Sequence, residues 1–259
     1  MKLNSLIMLY LFSLVLVLSA QEKREIIDLT YAFDESTIFW PTQEGFQLIE
    51  DFHGMTEKGY FYSSYRFKTA EHGGTHLDAP NHFYENRLTS DEIPLENLIG
   101  NAVAIDASEE CEKNRDYLFG LTDFEKWEEQ NGKIPEGSIV LLKSGYGKYW
   151  PDREKYMGTD ERGEAAVAKL HFPGLSEEGA KWLVNERKVK AVGIDTPSID
   201  YGQSKYFKSH VFLCEKNIPI FENVANMDLL PQKGFEVIAL PIKIKGGSGG
   251  PARIIAIIN

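Results

Sequence analysis

Alternating apolar and polar positions predict most of the strands of this chain. The segment "REIIDLTYAF" alternates around Ile27, Leu29 and Tyr31, which is typical of a strand with one buried face. A second alternating segment, "YSSYRFKTA", leads directly into the stretch "EHGGTHLDAPNHF". Short apolar runs between turn residues predict buried strands at "NAVAID", "GSIVLLKSG", "KAVGID" and "IPIF". The chain ends with two further predicted strands, "FEVIALPIKI" and "ARIIAII".

Three segments between these strands have helical patterns. "EEGAKWLVNERK" predicts an amphipathic helix with Ser176 as its N-cap and acidic residues in its first turn. "TDFEKWEEQNG" predicts a shorter helix, with Thr122 and Glu125 in capping-box spacing and Gly132 near its end. "KYFKSHVFLCEKN" predicts a third helix. Because no repeat or linker divides the chain, we expect one mixed α/β domain with roughly eight strands or more.

The first twenty residues differ from the rest of the chain. Lys2 precedes an apolar run from Leu6 to Leu18, and small residues lead into the polar "QEKRE". This pattern predicts a cleaved signal peptide over residues 1–20, one domain over 21–259, and a secreted or luminal protein. The run is shorter than the roughly 20 residues of a membrane-spanning helix, which makes an uncleaved anchor the alternative.

Composition narrows the functional classes. With 42% hydrophobic residues, the 259-residue chain can bury a substantial core. A formal net charge of −11 argues against nucleic acid or an anionic membrane surface as a partner, because both favour a basic face. Cys111 and Cys214 are the only cysteines, and they form either one disulfide or two unpaired thiols. Neither has a neighbour that indicates a nucleophile.

Three of the six histidines lie in a single short stretch. Gly73 and Gly74 disfavour a helix there, which predicts a turn that brings His72 back toward the next histidine. His76 and Asp78 are two residues apart, so on an extended segment they point to the same side.

These side chains are suited to bind a metal ion. Two imidazoles and one carboxylate, with open positions, form the ligand set of a catalytic divalent metal site. Pro80 ends the strand and allows His82 to return over the same site. The alternative is a histidine-rich surface loop that binds metal adventitiously.

Other polar residues leave several interpretations open. From the residues alone, His210 and Glu222 are either metal ligands or ordinary polar groups. Asp195 and Asp200 either support ligand residues or stabilise a buried turn. "GGSGGP" predicts a tight turn, because it lacks the Lys-Ser/Thr pair of a phosphate-binding loop.

Taken together, these motifs resemble those of the metal-dependent cyclase-like hydrolase family, which includes bacterial kynurenine formamidase and isatin hydrolase. The resemblance depends on "HGGTHLDAPNHF", "FPGLS", "VGIDTPSID" and "KGGSGGPARIIAI", and on the pair His210 and Glu222 at "IPIFEN". They follow the family's order from about Ile26 to Asn259. The resemblance implies a single mixed α/β domain of the swivelling β/β/α type, with a central barrel-like mixed sheet and flanking helices.

The resemblance also implies roles for individual residues. Asp78 matches a ligand that bridges two ions, His82 the catalytic histidine, and Trp40 an aromatic residue of the substrate pocket. Thr42 replaces a glycine of the family's pattern, which leaves the shape of the loop around Trp40 open. The loops around Trp40 and Tyr60–Tyr65 are expected to line the pocket and to be where this chain differs from the family. The implied metal ligands are His72, His76, Asp78, His210 and Glu222.

The activity implied by the resemblance is hydrolysis of a small aromatic formamide or cyclic amide, such as N-formylkynurenine or isatin. A metal-activated water is the implied nucleophile and His82 the general acid and base. The implied cofactor is zinc or manganese, one or two ions per chain, and the implied assembly is a homodimer. The alternatives are a hydrolase of an unrelated extracellular amide or ester, and a metal-binding or ligand-binding protein without catalysis.

Overall fold

The computed structural model describes residues 24–258, so the predicted signal peptide lies outside the described residues. None of the helices in this range has the length and apolar character needed to cross a membrane. The strands are β1 (Glu25–Asp28), β2 (Gln47–Met55), β3 (Phe61–Lys68), β4 (His76–Asp78), β5 (Ile99–Asp106), β6 (Leu118–Phe119), β7 (Ile139–Lys143), β8 (Gly174–Leu175), β9 (Ala191–Ile194), β10 (Ile220–Glu222), β11 (Phe235–Pro241) and β12 (Gly249–Ile258).

Helices occupy most of the longer connections between the strands. They are α1 (Leu95–Leu98), α2 (Ser108–Lys113), α3 (Leu121–Asn131), α4 (Arg153–Met157), α5 (Glu164–Val167), α6 (Glu177–Arg187) and α7 (Lys208–Glu215). Three short 3-10 helices cover Pro80–His82, Tyr146–Tyr149 and Met227–Leu229.

The central sheet closes on itself. Its strand order is β1-β12-β11-β5-β7-β9-β10-β4, and β4 pairs with β12 as well as β10, which closes seven of the eight strands into a ring. The pairs β5–β7, β7–β9 and β9–β10 are parallel. The other pairs in the ring are antiparallel. This architecture confirms the predicted mixed α/β domain with a barrel-like sheet and flanking helices.

Alternating residues of the ring strands belong to two different cores. On β7, Ile139 and Leu141 belong to a cluster made mostly of strand residues, which fills the ring. Val140 and Leu142 belong to the second cluster, which also contains residues of the flanking helices. Both faces of these strands are therefore buried, which explains their continuous apolar runs.

The helix ends confirm one cap prediction and correct another. Ser176 caps α6, since its Oγ accepts a hydrogen bond of 2.9 Å from the Gly179 amide, as predicted. The capping box predicted at Thr122 and Glu125 is wrong. The α3 helix begins earlier, and the Asp123 carboxylate accepts a hydrogen bond from the Gly120 amide. Asp123 therefore supplies one of the two hydrogen bonds of a capping box, and Gly120 has no side chain to supply the other.

Strands β2 and β3 form a separate two-stranded hairpin outside the ring. The predicted strand at "YSSYRFKTA" therefore exists as β3, but most of its residues are exposed to solvent. Alternation correctly indicated a strand there, and the described chain leaves most of both of its faces exposed.

The two cysteines are both buried and both free. Of the two alternatives left open by the sequence, the structure therefore contains the unpaired thiols. Burial raises the pKa of Cys111 above its ordinary range and that of Cys214 to about 11. Neither thiol has the low pKa of a nucleophilic cysteine.

Candidate metal centre

Strand β4 positions two of the predicted ligands. Its middle residue, Leu77, points into the ring core, so His76 and Asp78 point to the opposite side. Their side chains are only 2% and 1% exposed. The prediction that these two residues share one side of an extended segment is confirmed.

The Gly73–Gly74 turn brings His72 to the same place. The Gly74 amide donates to the Ile38 carbonyl, and its φ of +57° suits glycine. A Cβ on Gly73 would lie 2.0 Å from the Phe39 ring, so the loop approaches its neighbour too closely for a side chain. His72 Nδ1 thereby lies 2.6 Å from Asp78 Oδ1, as the predicted turn requires.

His82 also returns to the site. Pro80 ends β4 and begins a 3-10 helix that ends at His82. The His82 ring stacks on the His72 ring with centroids 3.7 Å apart and 14° between the planes. Its neighbour Phe83 stacks on His210 at 4.2 Å.

Two residues from the second half of the chain complete the group. His210 on α7 places its Nε2 3.1 Å from Asp78 Oδ2 and 3.1 Å from Glu222 Oε1. Glu222 ends β10, where it pairs in register with His76. The structure therefore brings together all six residues singled out for metal binding or catalysis, here called the candidate centre: His72, His76, Asp78, His82, His210 and Glu222.

Hydrogen bonds on the far side of two imidazoles fix which nitrogen faces the centre. His76 Nδ1 donates to the Gly74 carbonyl, and His210 Nδ1 lies 2.7 Å from Asp200 Oδ2. In both rings Nε2 is left to face the centre. Asp200 thus supports a candidate ligand, as one of the sequence alternatives held. Asp195 instead accepts hydrogen bonds from Ser144 and the Gly145 amide, and so stabilises a buried turn.

The donor set suits a divalent cation. The donor atoms form two groups, and within each group they all lie within 4.8 Å of one another. One group is His72, Asp78 and His82, and the other is His76, Asp78 and Glu222. His76 Nε2 is buried without a hydrogen-bond partner, although Asp78 Oδ1 is 3.1 Å away. A cation would satisfy this orphaned atom, and nitrogen and oxygen donors without sulfur suit zinc or manganese. Asp78 belongs to both groups, so it would take part in holding a cation at either one.

The pKa values of the candidate centre depend on burial and mutual charge. Burial opposes a charge on His210, but hydrogen bonds to Asp200, Asp78 and Glu222 outweigh it and raise its pKa well above the ordinary value. Burial also raises the pKa of Glu222, with the Asp78 charge acting in the same direction. Burial lowers the pKa of His82 to about 3. Without a cation the centre therefore retains protons on His210, while His82 is uncharged.

A cavity of about 290 Å³ opens over the candidate centre. Trp40 lines it, as predicted, and packs edge-to-face against Phe172 and Phe207. Thr42 also lines it, so the departure from the family's glycine lies at the pocket wall. The expectation that Tyr60–Tyr65 shapes the pocket is wrong for the described chain, because this segment belongs to the β2–β3 hairpin and does not line the cavity.

The sequence did not identify the other aromatic residues of the wall. Phe83 and Phe207 both line the cavity, and their rings lie 5.3 Å apart. Phe83 is next to His82 and could have been inferred from that position. Phe207 has a positive φ of 46° just before α7, and no local pattern predicts its orientation. Among the described residues, no lysine or arginine lines this cavity.

Comparison with known proteins agrees with this geometry. Residues 27–201 match a family model described as "Putative cyclase". An isatin hydrolase from Roseibium aggregatum is 28% identical over 245 residues, covering 87% of this chain and 90% of that protein. A kynurenine formamidase from Erythrobacter litoralis is 26% identical over 239 residues, covering 92% and 95%. The solved structure of isatin hydrolase A from Ralstonia solanacearum superposes with a TM-score of 0.83 at 30% identity, covering 93% and 94%.

Proposed function

This chain belongs to the cyclase family, and from that premise we propose that it is a metal-dependent amidohydrolase whose substrate is a small, uncharged aromatic amide. Its relatives include an isatin hydrolase and kynurenine formamidases. The observation that carries the proposal is an aromatic-walled cavity whose floor holds six ligand-type side chains.

The charge of the cavity favours a cyclic amide of the isatin type over N-formylkynurenine. N-formylkynurenine carries an α-ammonium and an α-carboxylate, whereas isatin has no charged group. Among the described residues the cavity offers no lysine or arginine to pair with that carboxylate. Burying a carboxylate without a partner is costly, so the uncharged ring is the better fit.

The candidate centre would hold zinc or manganese through His72, His76, Asp78, His210 and Glu222, with one or two ions per chain. Such a cation would polarise the carbonyl group of the substrate and lower the pKa of water.

The chain's own residues would orient the substrate and move the proton. Trp40, Phe83 and Phe207 hold the aromatic ring and exclude bulk water from the cavity. His82 is uncharged at neutral pH, so its ring nitrogen beside Asp78 can accept a proton from the attacking water. The carbon–nitrogen bond then breaks, and His82 returns the proton to the leaving nitrogen.

The test is hydrolysis of isatin and N-formylkynurenine, followed by absorbance, with chain 21–259 before and after chelation. We expect turnover that disappears with the chelator, returns with zinc or manganese, and is faster for isatin. Metal binding without turnover of either substrate would refute the substrate and favour another amide or an ester. A chain that binds no metal would refute the proposal.

We also propose that the protein is a homodimer that pairs through the β2–β3 hairpin. Residues on one side of this hairpin follow from its register, in which Leu48 pairs with Phe67 and Met55 with Phe61. A bulge after Glu50 shifts the alternation by one residue, so that His53 faces the same side. This side, here called the hairpin apolar face, consists of Leu48, His53, Met55, Phe61, Tyr65 and Phe67, together with the polar residues Glu50 and Ser63.

The hairpin apolar face has the size of an interface. Its five large apolar or aromatic residues other than His53 are between 41% and 66% exposed. Half-exposed side chains of this size contribute roughly 100 Å² each, or roughly 500 Å² together. A stable interface uses about 800 Å² per partner, so this face supplies most of that area.

The charge of the hairpin favours a second copy of the chain as the occupant. Residues 47–68 contain three acidic residues (Glu50, Asp51, Glu57) and three basic residues (Lys58, Arg66, Lys68). The hairpin is therefore neutral in a chain of net charge −11. Two copies meeting here avoid the repulsion that acts between the rest of their surfaces.

Sedimentation of two matched variants tests the dimer. Phe61 and Leu229 are both 58% exposed, but only Phe61 lies on the hairpin. We expect wild type and Leu229→Asp to sediment as dimers and Phe61→Asp as a monomer with unchanged circular dichroism. A monomeric wild type, or a dimeric Phe61→Asp, would contradict the interface.

For localisation we propose export to a secreted or luminal compartment, on the composition of residues 1–20. N-terminal sequencing of the protein recovered after expression in its own host tests this, and an intact residue 1 in the cytosolic fraction would contradict it.

A further inference from the structure

The glycine-rich segment before β12 encloses His72 from behind. A Cβ on Gly249 would lie 2.7 Å from His72 Cε1, and a Cβ on Gly247 would lie 2.8 Å from Glu71 Oε1. Only glycines allow this segment to approach so closely. Between them stands Ser248, whose side chain is placed between Glu71 and His72.

The hydrogen bonds of Ser248 have a defined direction. Its Oγ donates to Glu71 Oε2 over 2.5 Å, and its amide donates to the same oxygen over 3.1 Å. A hydroxyl group has a single proton, so toward His72 Nε2, at 2.9 Å, Ser248 Oγ can only accept. His72 Nε2 therefore donates to Ser248, which leaves Nδ1, 2.6 Å from Asp78 Oδ1, as the ring nitrogen available to bind a cation.

We propose that Glu71 is a positioning residue that acts through Ser248 to hold His72 in the tautomer and orientation needed to bind the cation. This inference rests on the proposed function, because it assigns His72 Nδ1 to the metal. Glu71 itself lies outside the candidate centre, and its side chain is 32% exposed.

The same arrangement recurs at the other candidate ligands and is missing at His82. His76 has the Gly74 carbonyl behind it, and His210 has the Asp200 carboxylate. Within residues 24–258, the His82 side chain has no such hydrogen-bond acceptor. Acceptors behind an imidazole fix its orientation and increase its basicity as a ligand. The hydrogen bonds from Glu71 through Ser248 to His72 are here called the relay. The relay groups His72 with the ligands and separates it from His82, the proposed proton carrier.

The experiment measures metal affinity rather than turnover. Zinc or manganese is titrated into metal-free wild type, Ser248→Ala and Glu71→Gln in competition with a chromophoric chelator. We expect Ser248→Ala to weaken binding about 10- to 100-fold, the range typical of lost hydrogen-bond partners of metal ligands. Glu71→Gln should weaken it less, because the amide oxygen still accepts from Ser248 while the charge is gone.

Two control variants loosen the same segment without contacting His72. Ser90 Oγ donates to the Ile244 carbonyl, and Asp91 Oδ1 accepts from the Gly246 amide. Ser90→Ala and Asp91→Ala, which remove these hydrogen bonds, should bind metal as tightly as the wild type. Equal weakening in all four variants would show that only loop rigidity matters and would overturn the relay.

The remaining outcomes separate this inference from the proposed function. If wild type binds metal and both Ser248→Ala and Glu71→Gln bind it equally well, the relay is overturned and the metal site stands. If wild type binds neither zinc nor manganese, the proposed function and the relay are both overturned.

Discussion

Replacement of Gly249 by alanine is a direct test of how tightly the site is built. Gly249 pairs with Asp78 across β12 and β4. An added Cβ would lie 2.4 Å from the Leu77 carbonyl oxygen and 2.7 Å from His72 Cε1. The first of these atoms belongs to the backbone of a paired strand and cannot rotate away. Either β12 must move away from β4 or the His72 ring must be displaced.

The expected cost follows from two opposing effects. Overpacking a filled site costs about 1–3 kcal/mol, while replacing glycine by alanine returns about 0.4–1 kcal/mol through the unfolded chain. We expect Gly249→Ala to lower the free energy of unfolding by about 1–2 kcal/mol. For a domain of this size that corresponds to a fall in Tm of about 2–8 °C.

Gly250 provides the matched control, because its nearest neighbour would lie 3.5 Å from an added Cβ, an ordinary contact. Gly250→Ala should therefore unfold at the wild-type temperature or slightly above it. Thermal unfolding of both metal-free variants and chelator competition for metal are the assays. Equal Tm and equal metal affinity for the two variants would refute the reasoning.

Three further predictions concern the titrating groups. His82→Ala should lower kcat/KM about 10²- to 10⁴-fold with an unchanged metal content by elemental analysis, and loss of metal would make His82 a ligand instead. Because the pKa values of His210 and Glu222 are raised without a cation, metal binding must displace protons and should tighten as pH rises from 5 to 8. Calorimetry in buffers of different ionisation enthalpy measures this release, and a pH-independent affinity would contradict it. Cys111 and Cys214 should react with a thiol reagent only after denaturation, and no reaction even then would indicate a disulfide.

The local part of the site could be predicted from the sequence. The spacing of His76 and Asp78 on a strand, the glycine turn before them and the proline after them determine where these side chains point. The convergence of His210 and Glu222 could not be derived from the residues alone, because it depends on the pairing of β10 with β4 across more than half of the chain. The resemblance to the family supplied that part.

Two other features lay beyond sequence patterns. The contact between Glu71 and Ser248 joins residues 177 positions apart, and each looks ordinary in its own segment. The alternation in β3 predicted the strand, but most of its residues are exposed in the described chain. A periodic pattern predicts the strand and which side chains share a face, but not whether another surface covers that face.

The closure of the ring by β4 has a consequence for biosynthesis. His76 and Asp78 emerge early from the ribosome, but their strand pairs with β10 and with the beginning of β12, near the end of the chain. A nascent chain therefore has no metal site until almost all of it has been synthesised. If the chain is exported unfolded, as the predicted signal peptide implies, the site assembles only after transport. The cation would then come from the compartment that receives the protein, and the metal supply there would decide which ion it carries.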